Sequence, residues 1–219
     1  MRLLFVHPSA PGQFADLALW LQDAGWDVRF LTAGEDGEEA GLPFYGWGPW
    51  PALDPALARP LRTWSRALTF ARAAAARLAR VDWTPDLVVS HLGSGCVQHL
   101  RAVTAAPIAG YVEYGLAEAE DTSPTDFRGR VWDPDLRDAR RAFAAVVSAD
   151  LACCDAATCP LPWQRATLPG PWRDRVHLLP DPVDEQVFTP GRRTSFQGGF
   201  TGRPQIGRAS CRERVCQYV

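Results

Sequence analysis

Short apolar runs closed by Pro and Gly alternate along this chain with stretches whose apolar residues recur every three or four positions. Residues 3–6 are continuously apolar and end in His7-Pro8-Ser9-Ala10-Pro11-Gly12. Phe14, Leu17, Ala18, Leu21 and Ala24 follow at helical spacing, Gly25 breaks the pattern, and residues 28–31 are apolar or alternating again. The spacing predicts strand, tight loop, amphipathic helix and second strand, a right-handed β-α-β unit that opens a parallel sheet. Further on, it predicts a polar acidic loop over 34–41, a short strand from residue 42 and a helix over 54–80 with a kink or break at Pro60. Strands follow at 87–90 and 108–112 with a helix over 95–103 between them, then a surface loop over 113–132 and a helix over 135–149. A strand at 151–154, a short helix over 162–168 and a last strand at 176–179 complete the pattern. Strands alternating with helices predict an α/β domain with a doubly wound, Rossmann-like parallel sheet, whose ligands sit at the carboxyl ends of the strands. No repeat of solenoid period is present.

Candidate chemistry falls on the loops after those strands. Backbone N–H groups of Gly12, Gln13 and Phe14 open the first helix, where unpaired donors and the helix dipole favour an anion such as phosphate. Glycine at 12 permits a left-handed or close-approach backbone. The loop lacks a G-x-G-x-x-G pattern, which argues against an NAD-type cofactor. His91 directly follows an apolar strand and so stands at the crevice, either facing a ligand or capping its loop. His7, at the end of the first strand, reads as a loop cap.

The stretch RLLFVHPSAPGQFADLALWLQDAGWDVRFLT resembles the start of family 4 glycosyltransferases of the GT-B type, with Trp26 where that family usually has His. PDLVVSHLGSG, APIAGYVEYGLAE and LPWQRATLPGPWRDRVHLLPDPVDEQVFTPG agree with the family in order and spacing. The resemblance implies a retaining transferase that uses a nucleotide-sugar donor and an acceptor, with no metal or other cofactor. It implies that residues 1–191 form the acceptor-side, N-terminal Rossmann-like half of a GT-B fold, and that a second domain holds the donor nucleotide. By resemblance His91 faces the donor sugar as the catalytic candidate. Pro11, Gly12, Gln13 and Phe14 form the donor-facing loop, Gly93 and Gly95 allow close backbone approach, and Glu113 and Tyr114 match a G-Y-x-E segment. The Glu113 carboxylate is placed either to bind acceptor hydroxyls or to pair with an Arg. Ser94 and Cys96 replace a Trp and a Glu usual in the family. A stand-alone nucleotide or sugar-phosphate binding module, and a non-functional truncated product, are the alternatives.

Residues 206–215, IGRASCRERV, correspond to one reading frame of a common short-read sequencing adapter, so residues 192–219 are expected to be a non-native tail; a basic tail with two thiols is the alternative. Lys and Asn are absent while Ala, Arg, Pro, Gly and Trp abound, a bias expected of a GC-rich bacterial genome. The net charge of -2 becomes more negative without the last fourteen residues, which disfavours a nucleic-acid binder. Neither a secretory signal nor a membrane span is apparent, so the cytoplasm is the expected location. The Arg-rich helix within 59–80 is placed either to solvate one face or to lie on anionic lipid at the inner membrane surface. Cys96, Cys153, Cys154 and Cys159 form no C-x-x-C pair and read as small hydrophobes, with a metal or redox site as the alternative; Cys153 and Cys154 are expected on opposite faces of a strand. An isolated half-enzyme is expected to leave Phe14, Trp47, Trp50 and Tyr114 facing water and to self-associate.

Overall fold

The computed structural model describes residues 1–113 and 134–181. Tyr114, nearly all of the expected surface loop and the whole of residues 192–219 lie outside the described residues. Among the described residues, an eight-stranded sheet has the order β3-β4-β2-β1-β5-β6-β7-β8. β1 (Arg2–Val6), β2 (Asp27–Thr32), β4 (Leu42–Gly46), β5 (Leu87–His91), β6 (Ile108–Tyr111), β7 (Ala156–Cys159) and β8 (Val176–Leu178) are parallel, and only β3 (Gly37–Glu39) runs antiparallel, against β4.

Alternation along β1 sends its side chains to two cores. Leu3 and Phe5 join Phe30, Val28 and Leu42 on the face covered by α1 (Ala15–Asp23). Leu4 and Val6 join Phe70, Ala74, Leu78, Val147 and Leu151, which come from α2 (Arg59–Leu78) and α3 (Pro134–Ala152). Gly25, at φ 83°, turns the chain from α1 into β2 as its position after the helical pattern predicts.

Several elements differ from the expectation, each for a local reason. Pro60 does not kink its helix: it lies in the first turn of α2, where its missing N–H leaves no bond unmade. α2 buries Ala67, Phe70, Ala71, Ala74, Ala75 and Leu78, while Leu61 and Leu68 face outward. The stretch 95–103 contains only a 3-10 turn, Leu100–Ala102, because Gly95 at φ 82° is bent into a packed loop. Residues 151–154 are not a strand: α3 runs on to Ala152, so Cys153 and Cys154 sit in the following turn, their thiols directed at the carbonyls of Ala149 and Asp150. The acidic loop contains β3, and a short α5 (Gly170–Arg173) follows α4 (Pro162–Ala166). Burial pushes the Cys96 and Cys154 thiols up to about 12, so both are un-ionised at neutral pH. Phe14 does not face water: it is 4% exposed and stacks on Phe5 at 4.8 Å. Trp47 is half-buried against Phe70, and Trp50 is exposed.

Candidate functional site

The topology puts one crevice in a special place. From β1 the chain builds outward through β2 and β4, then returns to the other side of β1 and builds through β5 to β8. The direction therefore reverses between β1 and β5, and open α/β sheets bind ligands at the carboxyl ends of the strands flanking such a switch point. His7 follows β1 there, His91 ends β5, and Tyr111 and Glu113 end and follow β6. Register pairs Val6 with Ser90 and His91 with Tyr111, so the three strand ends stand level.

The side chains at these ends touch. The rings of His7 and His91 lie 5.0 Å apart at 75°, and His91 lies 5.8 Å from the Tyr111 ring. His91 Nε2 is 3.6 Å from Glu113 Oε2, an electrostatic contact longer than a full hydrogen bond. His91 beside it holds the Glu113 carboxyl below its ordinary range, against the opposing pull of burial. His7 Nδ1 accepts the Ser9 N–H at 2.9 Å. Burial, helped by the neighbouring His91, pushes His7 down to about 4, so it is neutral at physiological pH. The loop between β1 and α1 is tied to β2 by the His7 N–H to the Leu31 carbonyl and the Ala10 N–H to Thr32 Oγ1, both at 3.1 Å. Gly12, at φ 54°, lies on the His7 ring so closely that a Cβ there would come within 3.1–3.4 Å of three ring atoms. Gln13 is exposed beside it and Pro11 is half-buried, whereas Phe14 belongs to the core.

The loop after His91 is built differently from a ligand-facing glycine loop. The Gly93 N–H (2.7 Å) and Gly95 N–H (3.1 Å) both donate to Asp150 Oδ2, and the Gln98 amide donates to Oδ1 at 2.8 Å. Asp150 is fully buried on α3. Burial pushes its carboxyl up to about 6, while these three donors pull it back, so it is ionised at neutral pH. Both glycines have positive φ, and added Cβ atoms would strike Phe143 at position 93 and the Ala67 backbone at position 95. Their freedom is thus used for packing against α3 and α2, and their amides are occupied by a side chain of the same protein.

His7, His91, Glu113 and Gly12 are therefore gathered at one crevice, Gly93 and Gly95 shape the loop beside it, and Phe14 supports it from below. An imidazole and a carboxylate at its mouth can exchange hydrogen bonds with hydroxyl groups. Among the described residues no group of three or more His, Cys, Asp or Glu is arranged to hold a metal ion. Asp150 went unread in the sequence, although one signal was present: a carboxylate on the apolar stripe Val146, Val147, Leu151 of a helix must find buried donors. The ring contacts of His7 join segments 84 residues apart and left no local trace.

The model of the glycosyl transferase family 4 group matches residues 24–188. Among solved structures, a sucrose-phosphate synthase from Thermosynechococcus elongatus superposes with a TM-score of 0.56 at 14% identity, covering 87% of this chain and 50% of that one. A second structure of sucrose-phosphate synthase from that organism gives 0.52 at 13% identity, covering 85% of this chain and 92% of that one. A third structure, trehalose-6-phosphate from E. coli bound with UDP-2-fluoro glucose, gives 0.52 at 9% identity, covering 85% of this chain and 50% of that one. The chain thus spans half the length of two of these three structures, and at such identities the likeness shows the fold. No curated protein matches the sequence.

Proposed function

The chain belongs to the glycosyl transferase family 4 group, and from that premise we propose that it forms the acceptor-side half of a retaining glycosyl transfer from a nucleotide sugar, with His91 at the reacting centre. The observation that carries the reading is the contact of His91 with Glu113 at the topological switch point. In a retaining transfer the nucleotide phosphate departs and the acceptor hydroxyl enters on the same face of the sugar, through a transition state with oxocarbenium character like that of glycoside hydrolysis. The protein's task is to align the two substrates and stabilise the departing charge.

In this reading His91 hydrogen-bonds a hydroxyl of the donor sugar. Glu113, ionised at neutral pH, accepts a hydrogen bond from the incoming acceptor hydroxyl and orients its oxygen toward the anomeric carbon. Gly12 and Gln13 turn backbone N–H groups toward the phosphate, with Pro11 shaping their loop and Tyr114 adjoining Glu113. The donor nucleotide is held by a second domain of the full-length enzyme. The UDP-2-fluoro glucose bound to the E. coli neighbour supports a nucleotide sugar as the donor class. No metal is required in this scheme, and the enzyme works in the cytoplasm.

The full-length enzyme, offered UDP-, GDP-, ADP- and TDP-sugars with mixed sugar, polyol and lipid acceptors, is expected to release nucleotide from one donor class in the presence of chelator. Product NMR is expected to show the donor's anomeric configuration. An inverted product refutes retention, and nucleotide release abolished by chelator refutes the metal-free scheme.

A further inference from the structure

We infer that His7 is a ligand-contacting residue of the crevice: a hydrogen-bond donor of fixed tautomer whose Nε2–H holds an oxygen of the nucleotide sugar beside His91. This rests on the transfer-site reading above. Three constraints fix the ring. First, Nδ1 accepts the Ser9 N–H at 2.9 Å, so it cannot itself carry a proton, and the neutral ring keeps its hydrogen on Nε2. Second, the ring is hemmed in: a Cβ at Gly12 would sit only 3.1–3.4 Å from it, the Phe14 ring meets it edge-on at 6.2 Å, and His91 stands 5.0 Å away. Flipping it would also set a C–H against the Ser9 N–H.

Third, Nε2 has no hydrogen-bond partner among the described residues, and the His7 side chain is half-buried at the strand end, not enclosed in the core. A residue serving only as a loop cap needs one acceptor, which Asn or Asp supplies at this kind of turn without a ring. The second nitrogen of His7 is surplus to the cap, and its ring stands beside His91 at the switch point. Among the described residues the ionisable groups that face it are His91 and Glu113, and its low proton affinity, about 4, is consistent with a ring that stays uncharged beside them. An N–H that donates without accepting, on an uncharged ring, selects an oxygen lone pair. A nucleotide sugar offers that in two places, the sugar hydroxyls and the phosphate oxygens.

The test is imidazole proton–nitrogen correlation NMR on the full-length enzyme, in which the signals of this chain's four histidines are assigned by single His→Gln variants. His7 is expected to show one tautomer, protonated at Nε2, and no titration between pH 8 and about 5.5. Adding UDP-glucose is expected to move that Nε2–H signal. A shift reproduced by UDP alone assigns the contact to phosphate, and a shift requiring UDP-glucose assigns it to a sugar hydroxyl. His7→Asn, which keeps the cap for Ser9 but loses the Nε2 donor, is expected to weaken UDP-glucose binding about tenfold, while His7→Gln, which keeps a donor near Nε2, loses less. A His7 ring that titrates near its ordinary value, or carries its proton on Nδ1, overturns the inference whatever the enzyme's activity. So does a His7 unmoved by UDP-glucose while His91 responds, or an Asn variant that binds like wild type. Silence of both histidines overturns the transfer-site reading itself, and the inference with it.

Discussion

Replacing Asp150 by Asn and by Ala separates the charge of this buried group from its role as an acceptor. Its carboxyl is raised from 3.8 to about 6, so burying the ionised form costs about 3 kcal/mol relative to the neutral one. Both substitutions relieve that cost. Asn keeps an oxygen for the N–H groups of Gly93 and Gly95, and rotation of the Gln98 amide presents its oxygen to the new side-chain NH2. Ala leaves all three donors without an acceptor in a site with no exposure. At about 1–2 kcal/mol for each stranded donor, Asp150→Ala is expected to be ~3–6 kcal/mol less stable than Asp150→Asn. Urea unfolding at pH 7, followed by far-UV circular dichroism, measures the difference. Between pH 6 and 4 the native Asp150 takes up a proton that the unfolded chain, with its ordinary carboxyl, does not. Wild type therefore gains stability relative to Asp150→Asn as pH falls through that window, and the difference is flat above it. Equal stability of the Ala and Asn variants, or a wild-type–Asn difference that ignores pH, refutes the reasoning.

His7 gives a slope of the opposite sign. Its native form stays neutral down to about 4 while the unfolded chain protonates near 6.5, so its contribution to stability is present above 6.5 and is lost as pH falls toward 4; the difference between wild type and His7→Asn in urea unfolding is expected to follow that window. Gly95→Ala sets a Cβ 2.6 Å from the Ala67 carbonyl oxygen at φ 82° and is expected to cost more than ~3 kcal/mol. Gly93→Ala is also strained, at φ 101°, but meets only the tip of the Phe143 ring, which can turn aside, and is expected to cost less, ~2–3 kcal/mol, in the same assay.

The parallel strands were legible because fully buried strands are written as continuous apolar runs, as in residues 3–6 and 87–90. β7 was not, since its sequence AATC has little strand propensity and the chain pairs there because β6 and β8 flank it. The more apolar stretch just before it belongs to the end of α3. β3, GEE, is likewise a product of pairing with β4 rather than of its own pattern. Of the crevice, His91 and Glu113 were visible as polar residues directly after apolar strands. Asp150 and the second role of His7 depend on contacts between distant segments, and a local pattern holds no record of those.

The central claim is that glycosyl transfer takes place at the switch-point crevice. The rate of nucleotide release by the full-length enzyme, with its donor and acceptor present, compares wild type with His91→Ala most directly. The variant, folded by circular dichroism and with an unchanged unfolding midpoint, is predicted to turn over about 10²-fold or more slowly. Wild-type turnover in that folded variant would contradict the claim and leave His91 a structural residue of its loop.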